Sequence, residues 1–339
     1  MTLHERLAEA RARLVAKEIS QSEASVDVDL YARTILGWDR AKLLSEQQGA
    51  VPERLEPTLS EWIARRERRE PSAYIVGVRE FWGLDFAVTP AVLIPRPETE
   101  FIVEEALSLL RSGDLPPSRA TRFGEPRRDG PQSGPSSQRW LSGRTATRPG
   151  GGGRVPGYRA SGHMRVADIG TGSGCVAIAL ASELPGCRFV ASDVSEHALV
   201  VAYGNASRHG VADRIEFVAT SYLDGVDGRF EVITANPPYV KDGDKPALSR
   251  AVRHEPEVAL FGGAEGLRDI TGVLDTAAEK LTPGGWLVME FGYGQEESVE
   301  ALVGARPALR LNRVRADLQG IPRTAIIQKT PNATTPNSQ

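Results

Sequence analysis

The hydrophobic pattern divides the chain into segments of different period. Up to about residue 69, apolar positions recur at three- and four-residue spacings: Leu3, Leu7 and Leu14, then Ala32, Ile35 and Leu36, then Leu59, Trp62 and Ile63. That period marks one face of a helix. Pro52 and Pro57 punctuate it, so residues 1–75 read as a small helical bundle closed by Pro71. Over 76–97 the period shortens: Phe81, Trp82, Leu84, Phe86 and Val88 partly alternate, with Gly77 and Gly83 as turn residues, which predicts a β-hairpin linker. Pro95 and Pro97 then keep the backbone extended up to a helix starting near Thr99, whose hydroxyl is a candidate cap, and carrying Phe101, Ile102, Ala106 and Leu109.

From residue 165 short apolar strands alternate with helical stretches. Strands are predicted over 166–170, 189–193, 215–218, 232–235, 286–291, 309–314 and 324–329, with helices between the first five. This alternation indicates an α/β, Rossmann-like, doubly wound sheet of seven strands that takes its ligand at the carboxyl edge. The sheet domain is expected over 98–330, followed by a flexible tail at 331–339. No internal repeat is seen.

Composition changes this picture in one place. Residues 111–163 are dominated by Gly, Pro, Ser and Arg, run through four consecutive glycines from Gly150 to Gly153, and lack apolar periodicity, so a disordered insertion is expected. Ten Arg against Asp114, Glu125 and Asp129 make it about +7, leaving the rest at about −10 within a net charge of −3. An Arg-rich arm touching RNA or an acidic partner ranks below a solvated insertion, and the acidic remainder argues against stable nucleic-acid binding. The 339 residues and 40% hydrophobic content suffice for a large domain plus a small one. No run nears the ~20 apolar residues of a membrane helix. Glu5 and Glu9 stand where a signal peptide needs apolar residues, so a cytoplasmic protein is expected, with a monomer as the default. Cys175 and Cys187 are the only cysteines and read as reduced thiols; the five histidines show no metal-ligand spacing, so no metal is expected.

Chemistry concentrates at two strand ends. Residues 166–174, ending Asp168-Ile169-Gly170-Thr171-Gly172-Ser173-Gly174, run from a strand into a helix, and their glycines permit a tight turn close to a ligand. Cys175 stands where a dinucleotide fingerprint needs its third glycine, and Asp168 would repel a pyrophosphate yet suit the ammonium of an amino-acid-like cofactor. Asp193, at the end of the next strand, has the spacing of an acid that bonds a ribose hydroxyl pair. Capping the following helix is its alternative, but Ser195 can do that. Together these residues fit S-adenosylmethionine better than a nicotinamide cofactor.

Asn236-Pro237-Pro238-Tyr239 ends the fourth strand, beside the first in this topology. Asn236 Oδ1 and the Pro237 carbonyl can accept both N–H groups of a planar amide or amino nitrogen, while Tyr239 stacks on its plane. Asn236, Pro237 and Tyr239 are therefore the candidate catalytic residues, and Asn236, Pro237, Pro238 and Tyr239 the candidate substrate clamp. Asp168, Gly170, Thr171, Gly172, Ser173, Gly174, Asp193 and Asn236 are the candidate cofactor residues. A nucleobase amine or a protein amide would both suit such a pocket, and a non-catalytic scaffold is a third reading.

Residues 71–77 (Pro-Ser-Ala-Tyr-Ile-Val-Gly), Phe81-Trp82-Gly83-Leu84 and residues 92–100 (Val-Leu-Ile-Pro-Arg-Pro-Glu-Thr-Glu) resemble the peptide chain release factor glutamine methyltransferases, the HemK/PrmC family. Glu255-Pro256, Gly262-Gly263, Gly266-Leu267, Glu290-Phe291-Gly292 with Gln295, and Asp317-Leu318-Gln319-Gly320 extend the likeness to nearly all of the chain outside 111–163. The resemblance implies a helical substrate-binding domain ahead of a methyltransferase domain. It also implies methylation of the side-chain amide N5 of the glutamine in the Gly-Gly-Gln motif of class 1 release factors, in support of translation termination. It adds Tyr222 as an aromatic contact to the adenine. Ser221 stands where that family usually has Asp, removing a carboxylate for the adenine amino group. An adenine-N6 or cytosine-N4 nucleic-acid methyltransferase is the alternative.

Overall fold

Five helices of a computed structural model that describes residues 1–112 and 164–331 make up its N-terminal part. They are α1 (Leu3–Ala16), α2 (Gln21–Leu36), α3 (Arg40–Ser45), α4 (Thr58–Glu67) and α5 (Ser72–Val76). The three- and four-residue spacing brings Leu3, Leu7, Leu14, Val28, Leu59 and Ile63 into one core without exposure. Pro71 does not close the bundle. Its fixed φ starts α5 instead, and Ile75 of that helix joins the same core.

The hairpin forms as expected, from β1 (Val78–Phe81) and β2 (Leu84–Ala87). Trp82 and Gly83 both have positive φ, 56° and 69°, the backbone of a two-residue hairpin turn matched to strand twist. A long loop follows, then a single 3-10 turn (Pro97–Thr99) and α6 (Glu100–Ser112). The helix continues through Arg111, which pairs with Glu183 at 3.1 Å, so residues 111 and 112 belong to it and not to an insertion. The rest of the expected insertion, and the tail beyond residue 331, lie outside the described residues.

The sheet domain runs β3 (Arg165–Ile169), α7 (Cys175–Glu183), β4 (Arg188–Asp193), α8 (Glu196–Arg208), β5 (Ile215–Ala219), β6 (Phe230–Ala235), α9 (Arg268–Lys280), β7 (Leu281–Glu290), α10 (Glu296–Gly304), β8 (Leu309–Ala316) and β9 (Pro322–Lys329). Its seven strands lie in the order β5-β4-β3-β6-β7-β9-β8, with β9 antiparallel to both neighbours. β6 pairs with β3, as the reading of the fourth strand requires. One expected helix is absent among the described residues: 220–229 connects β5 to β6 by turns, because Tyr222, Gly225 and Gly228 take positive φ, although Leu223 and Val226 still reach the core. Successive residues of the central strands enter opposite cores, Val166, Val232 and Val288 on one side and Ala167, Ile233 and Leu287 on the other. Burial on both faces is what covering helices impose, and it leaves the strand ends as the place where polar side chains can be gathered.

Candidate active site

A cavity of ≈ 220 Å³ opens at the carboxyl edge of the sheet, where β3 through β6 end. Its floor is the turn after β3. Gly170 and Gly172 hold φ of 68° and 55°, and where each would carry a Cβ there is open space, so the missing side chains leave room for a ligand against the backbone. Gly174 (φ 82°) serves packing: a Cβ there would lie 2.8 Å from Ile178 Cδ1 and 3.1 Å from Ala202 Cβ. Asn205, fully buried on α8, ties the turn to the hairpin by donating to the Ser173 carbonyl at 2.9 Å while exchanging bonds with both backbone groups of Ala87.

Two carboxylates flank the turn. Asp168, 3% exposed, accepts from the Thr171 hydroxyl at 2.7 Å and the Thr234 hydroxyl at 2.8 Å. Burial pushes its carboxyl up to about 6 despite these bonds. Asp193 accepts from Gly172 N and Ser195 N, both at 2.9 Å, and burial raises its pKa as well. Ser195 caps α8 by accepting from Ala198 N at 3.2 Å, so Asp193 is not the cap and lines the cavity beside the loop.

Of the residues singled out in the sequence, Asp168, Gly170, Thr171, Gly172, Ser173, Asp193, Tyr222, Asn236, Pro237 and Pro238 line this one cavity. Tyr222 stands in its wall at φ 51°, its hydroxyl 3.2 Å from Asp269 Oδ1 and its ring against α9, where only the lack of a side chain at Gly272 makes room. Burial and the Asp269 carboxylate push the Tyr222 phenol up to about 12. Ser221 lines the wall with Asp269, a carboxylate that sequence reading missed.

Asn236 enters the cavity from the end of β6. Its Nδ2 donates to Thr99 Oγ1 at 2.9 Å, and among the described residues no donor takes Asn236 Oδ1 or the Pro237 carbonyl. Thr99 is therefore not the cap of α6. Its hydroxyl donates to Glu290 Oε2 at 2.7 Å, at the end of β7. Tyr239 lies outside the cavity lining and donates its hydroxyl to Glu290 Oε1 at 3.1 Å. Burial raises the pKa of both Tyr239 and Glu290.

The backbone of this tetrad is clamped from behind. Gln295 donates to the Tyr239 carbonyl at 3.1 Å and accepts from Gly292 N at 2.8 Å. A Cβ on Gly262 would lie 2.4 Å from the Pro238 carbonyl, and one on Gly266 2.2 Å from the Tyr239 carbonyl. Across the opening, Arg96 pairs with Glu255, which also accepts from Ile94 N at 3.1 Å, so the loop before α6 is fastened to the segment after the tetrad. Of the two acids beside Arg96 in sequence, Glu100 accepts from Trp82 N at 2.9 Å. No described helix is long and apolar enough to cross a membrane.

Similarity to known proteins agrees with this geometry along nearly the whole chain. Residues 5–77 match the PrmC N-terminal domain and residues 159–265 the methyltransferase small domain. The release factor glutamine methyltransferase of Bradyrhizobium diazoefficiens is 36% identical over 310 residues, 91% of this chain and 89% of that protein. That of Koribacter versatilis is 33% identical over 332 residues, 97% of this chain and 99% of that protein. A solved hMettl16 catalytic domain shares the fold at 14% identity, with a TM-score of 0.50 over 81% of this chain and 84% of its own. A glycine loop between two acids, facing an Asn-Pro-Pro-Tyr end with two acceptors that no described residue pairs, thus sits in a chain that belongs to the release factor glutamine methyltransferase family.

Proposed function

We propose that this enzyme methylates the N5 amide nitrogen of the glutamine in the Gly-Gly-Gln motif of class 1 release factors, using S-adenosylmethionine. The observation that carries the reading is the pair of acceptors, Asn236 Oδ1 and the Pro237 carbonyl, left without donors among the described residues at the edge of a glycine-floored cavity. When bound, the cofactor supplies an electrophilic methyl group on a sulfonium. The space over Gly170 and Gly172 fits its amino-acid part, with Asp168 as partner for the ammonium. Asp193 suits the ribose hydroxyls, and Tyr222 the adenine face.

An amide nitrogen is a weak nucleophile because its lone pair is shared with the carbonyl. Two acceptors that take both of its N–H groups fix the nitrogen in the plane they define and draw electron density onto it. Positioning of this kind contributes ~7–11 kcal/mol where the geometry is good. No strong base is required before transfer, since the amide proton can leave to solvent afterwards. Tyr239 contributes through its hydroxyl on Glu290 and through its clamped carbonyl, in addition to the ring stacking expected from sequence.

We place residues 1–75 as the helical domain that helps to hold the release factor, with a monomer working in the cytoplasm. A nucleobase substrate is not favoured: the full-length relatives above are named for release factors, and the part of the chain outside 111–163 is acidic. Incubation with labelled cofactor and a class 1 release factor should label the Gly-Gly-Gln glutamine. No label there, or label on DNA or RNA instead, would overturn the assignment. Asn236→Ala should lower transfer by orders of magnitude while cofactor affinity measured by calorimetry stays near wild type.

A further inference from the structure

We infer that Thr99 and Glu290 are positioning residues that decide which way the Asn236 carboxamide faces. The inference rests on the function proposed above, because it concerns the acceptor offered to the substrate amide. The oxygen and nitrogen of a carboxamide have nearly the same size and shape, so packing alone does not choose between the two flips of Asn236. The partner at the far side does. Asn236 Nδ2 meets Thr99 Oγ1 at 2.9 Å.

A threonine hydroxyl has a single proton, and that of Thr99 goes to Glu290 Oε2 at 2.7 Å. Glu290 is 2% exposed, and its second oxygen receives the Tyr239 hydroxyl at 3.1 Å. With one hydroxyl aimed at each of its oxygens Glu290 accepts twice, and these two bonds favour the ionised form, which has no proton to give, against the burial that opposes it. The Thr99 proton is therefore committed, and Thr99 presents nothing but lone pairs to Asn236. A carboxamide oxygen turned toward those lone pairs would be repelled, so the NH2 turns to Thr99 and Oδ1 turns to the cavity. The polarity runs in one direction from Glu290 through Thr99 to Asn236, each bond strengthening the next. The three residues come from the ends of β6 and β7 and from the turn before α6, which makes this a tertiary device that no local motif encodes.

The test is steady-state methylation of a release factor by full-length variants, with cofactor affinity and thermal stability measured in parallel. Thr99→Ser keeps the hydroxyl and should retain turnover. Thr99→Val keeps the shape and removes the relay, so kcat should fall about 100-fold with cofactor affinity near wild type. Glu290→Gln brings in an N–H donor that can occupy the Thr99 oxygen, freeing the Thr99 proton to face Asn236, and should lower kcat to a similar degree at similar stability. Equal turnover in Thr99→Val and wild type overturns the inference, as does a Thr99→Ser variant as slow as Thr99→Val. A second readout does not depend on the substrate. The side-chain NH2 signal of Asn236, assigned by its loss in Asn236→Ala, should show a nuclear Overhauser contact to Thr99 side-chain protons, and absence of that contact overturns the inference. A wild-type protein that shows the contact but leaves the release factor unlabelled would instead remove the proposed function.

Discussion

Replacing Asp168 with asparagine should make the folded protein more stable above about pH 6 while weakening its hold on the cofactor. The side chain is 3% exposed, and burial raises its pKa from the ordinary 3.8 to about 6. Below pH 3.8 both the folded and unfolded chains carry the proton, and the group is neutral in the balance. Between 3.8 and about 6 the unfolded chain releases its proton first, so stability falls as the pH rises through that window. Above it the deficit is complete, roughly two units or about 3 kcal/mol. Asparagine has the same shape and no charge. Its oxygen can accept from one of the two threonine hydroxyls and its NH2 can donate to the other; Thr234 Oγ1 also lies 3.3 Å from the Ala167 carbonyl, an alternative acceptor for its proton. Urea denaturation of both proteins at several pH values gives the difference between their curves, which should grow by about 2.5 kcal/mol from pH 4 to pH 7.5. Cofactor binding should move the other way. One unit below its pKa about one carboxyl in ten is ionised, so wild-type affinity near pH 5 should be about a tenth of its value near pH 7.5, and the variant should be weak and flat with pH. Parallel stability curves, or a variant that binds cofactor as tightly as wild type near neutrality, would refute the reasoning.

Two further substitutions probe the walls. Gly272→Ala places a Cβ about 2.1 Å from Tyr222 Cζ, so the ring must leave α9; cofactor affinity should fall about tenfold by calorimetry, with a smaller loss of stability. Arg96→Ala leaves the buried Glu255 carboxylate held only by Ile94 N and should cost about 3 kcal/mol in chemical denaturation, part of it recovered by adding Glu255→Gln.

Most of the sheet was legible because both cores impose a burial pattern on the strands, and each of the seven predicted strands falls within or beside an observed one. The glycine loop and Asp193 were legible for a related reason: positive φ and a fixed strand-to-strand spacing restrict which residues can stand there. What failed were partnerships between distant residues. Thr99 read as a helix cap because a hydroxyl before a helix usually is one, and nothing nearby in sequence announces Glu290. The partly buried Tyr239 phenol needs an acceptor, and the one within reach is that same glutamate, likewise distant in sequence. Asn205 drew no notice inside a helical pattern, although it joins the hairpin to the glycine loop. The connection from β5 to β6 was assigned a helix from the rhythm of its neighbours, where Gly225 and Gly228 should have argued for turns.

If Asn236 Oδ1 and the Pro237 carbonyl hold the substrate amide as proposed, they also set how far the reaction proceeds. A primary amide brings two N–H groups to Asn236 Oδ1 and the Pro237 carbonyl, and both find a partner. After one methyl transfer a single N–H remains, and holding the nitrogen in the same place would leave one acceptor desolvated and unpaired, at a cost of about 1–3 kcal/mol. The new methyl group must occupy the space the lost hydrogen bond defined, against a backbone that cannot yield, since Gln295 holds the Tyr239 carbonyl and the chain at Gly262 and Gly266 packs directly on Pro238 and Tyr239. Rigidity behind the tetrad thus becomes discrimination in front of it. The product should be released as the monomethyl amide, and intact-mass measurement at long reaction times should show one added methyl group on the glutamine. A substantial dimethyl fraction would mean that the backbone around Pro237 yields, and that the clamp behind it is not what holds the geometry.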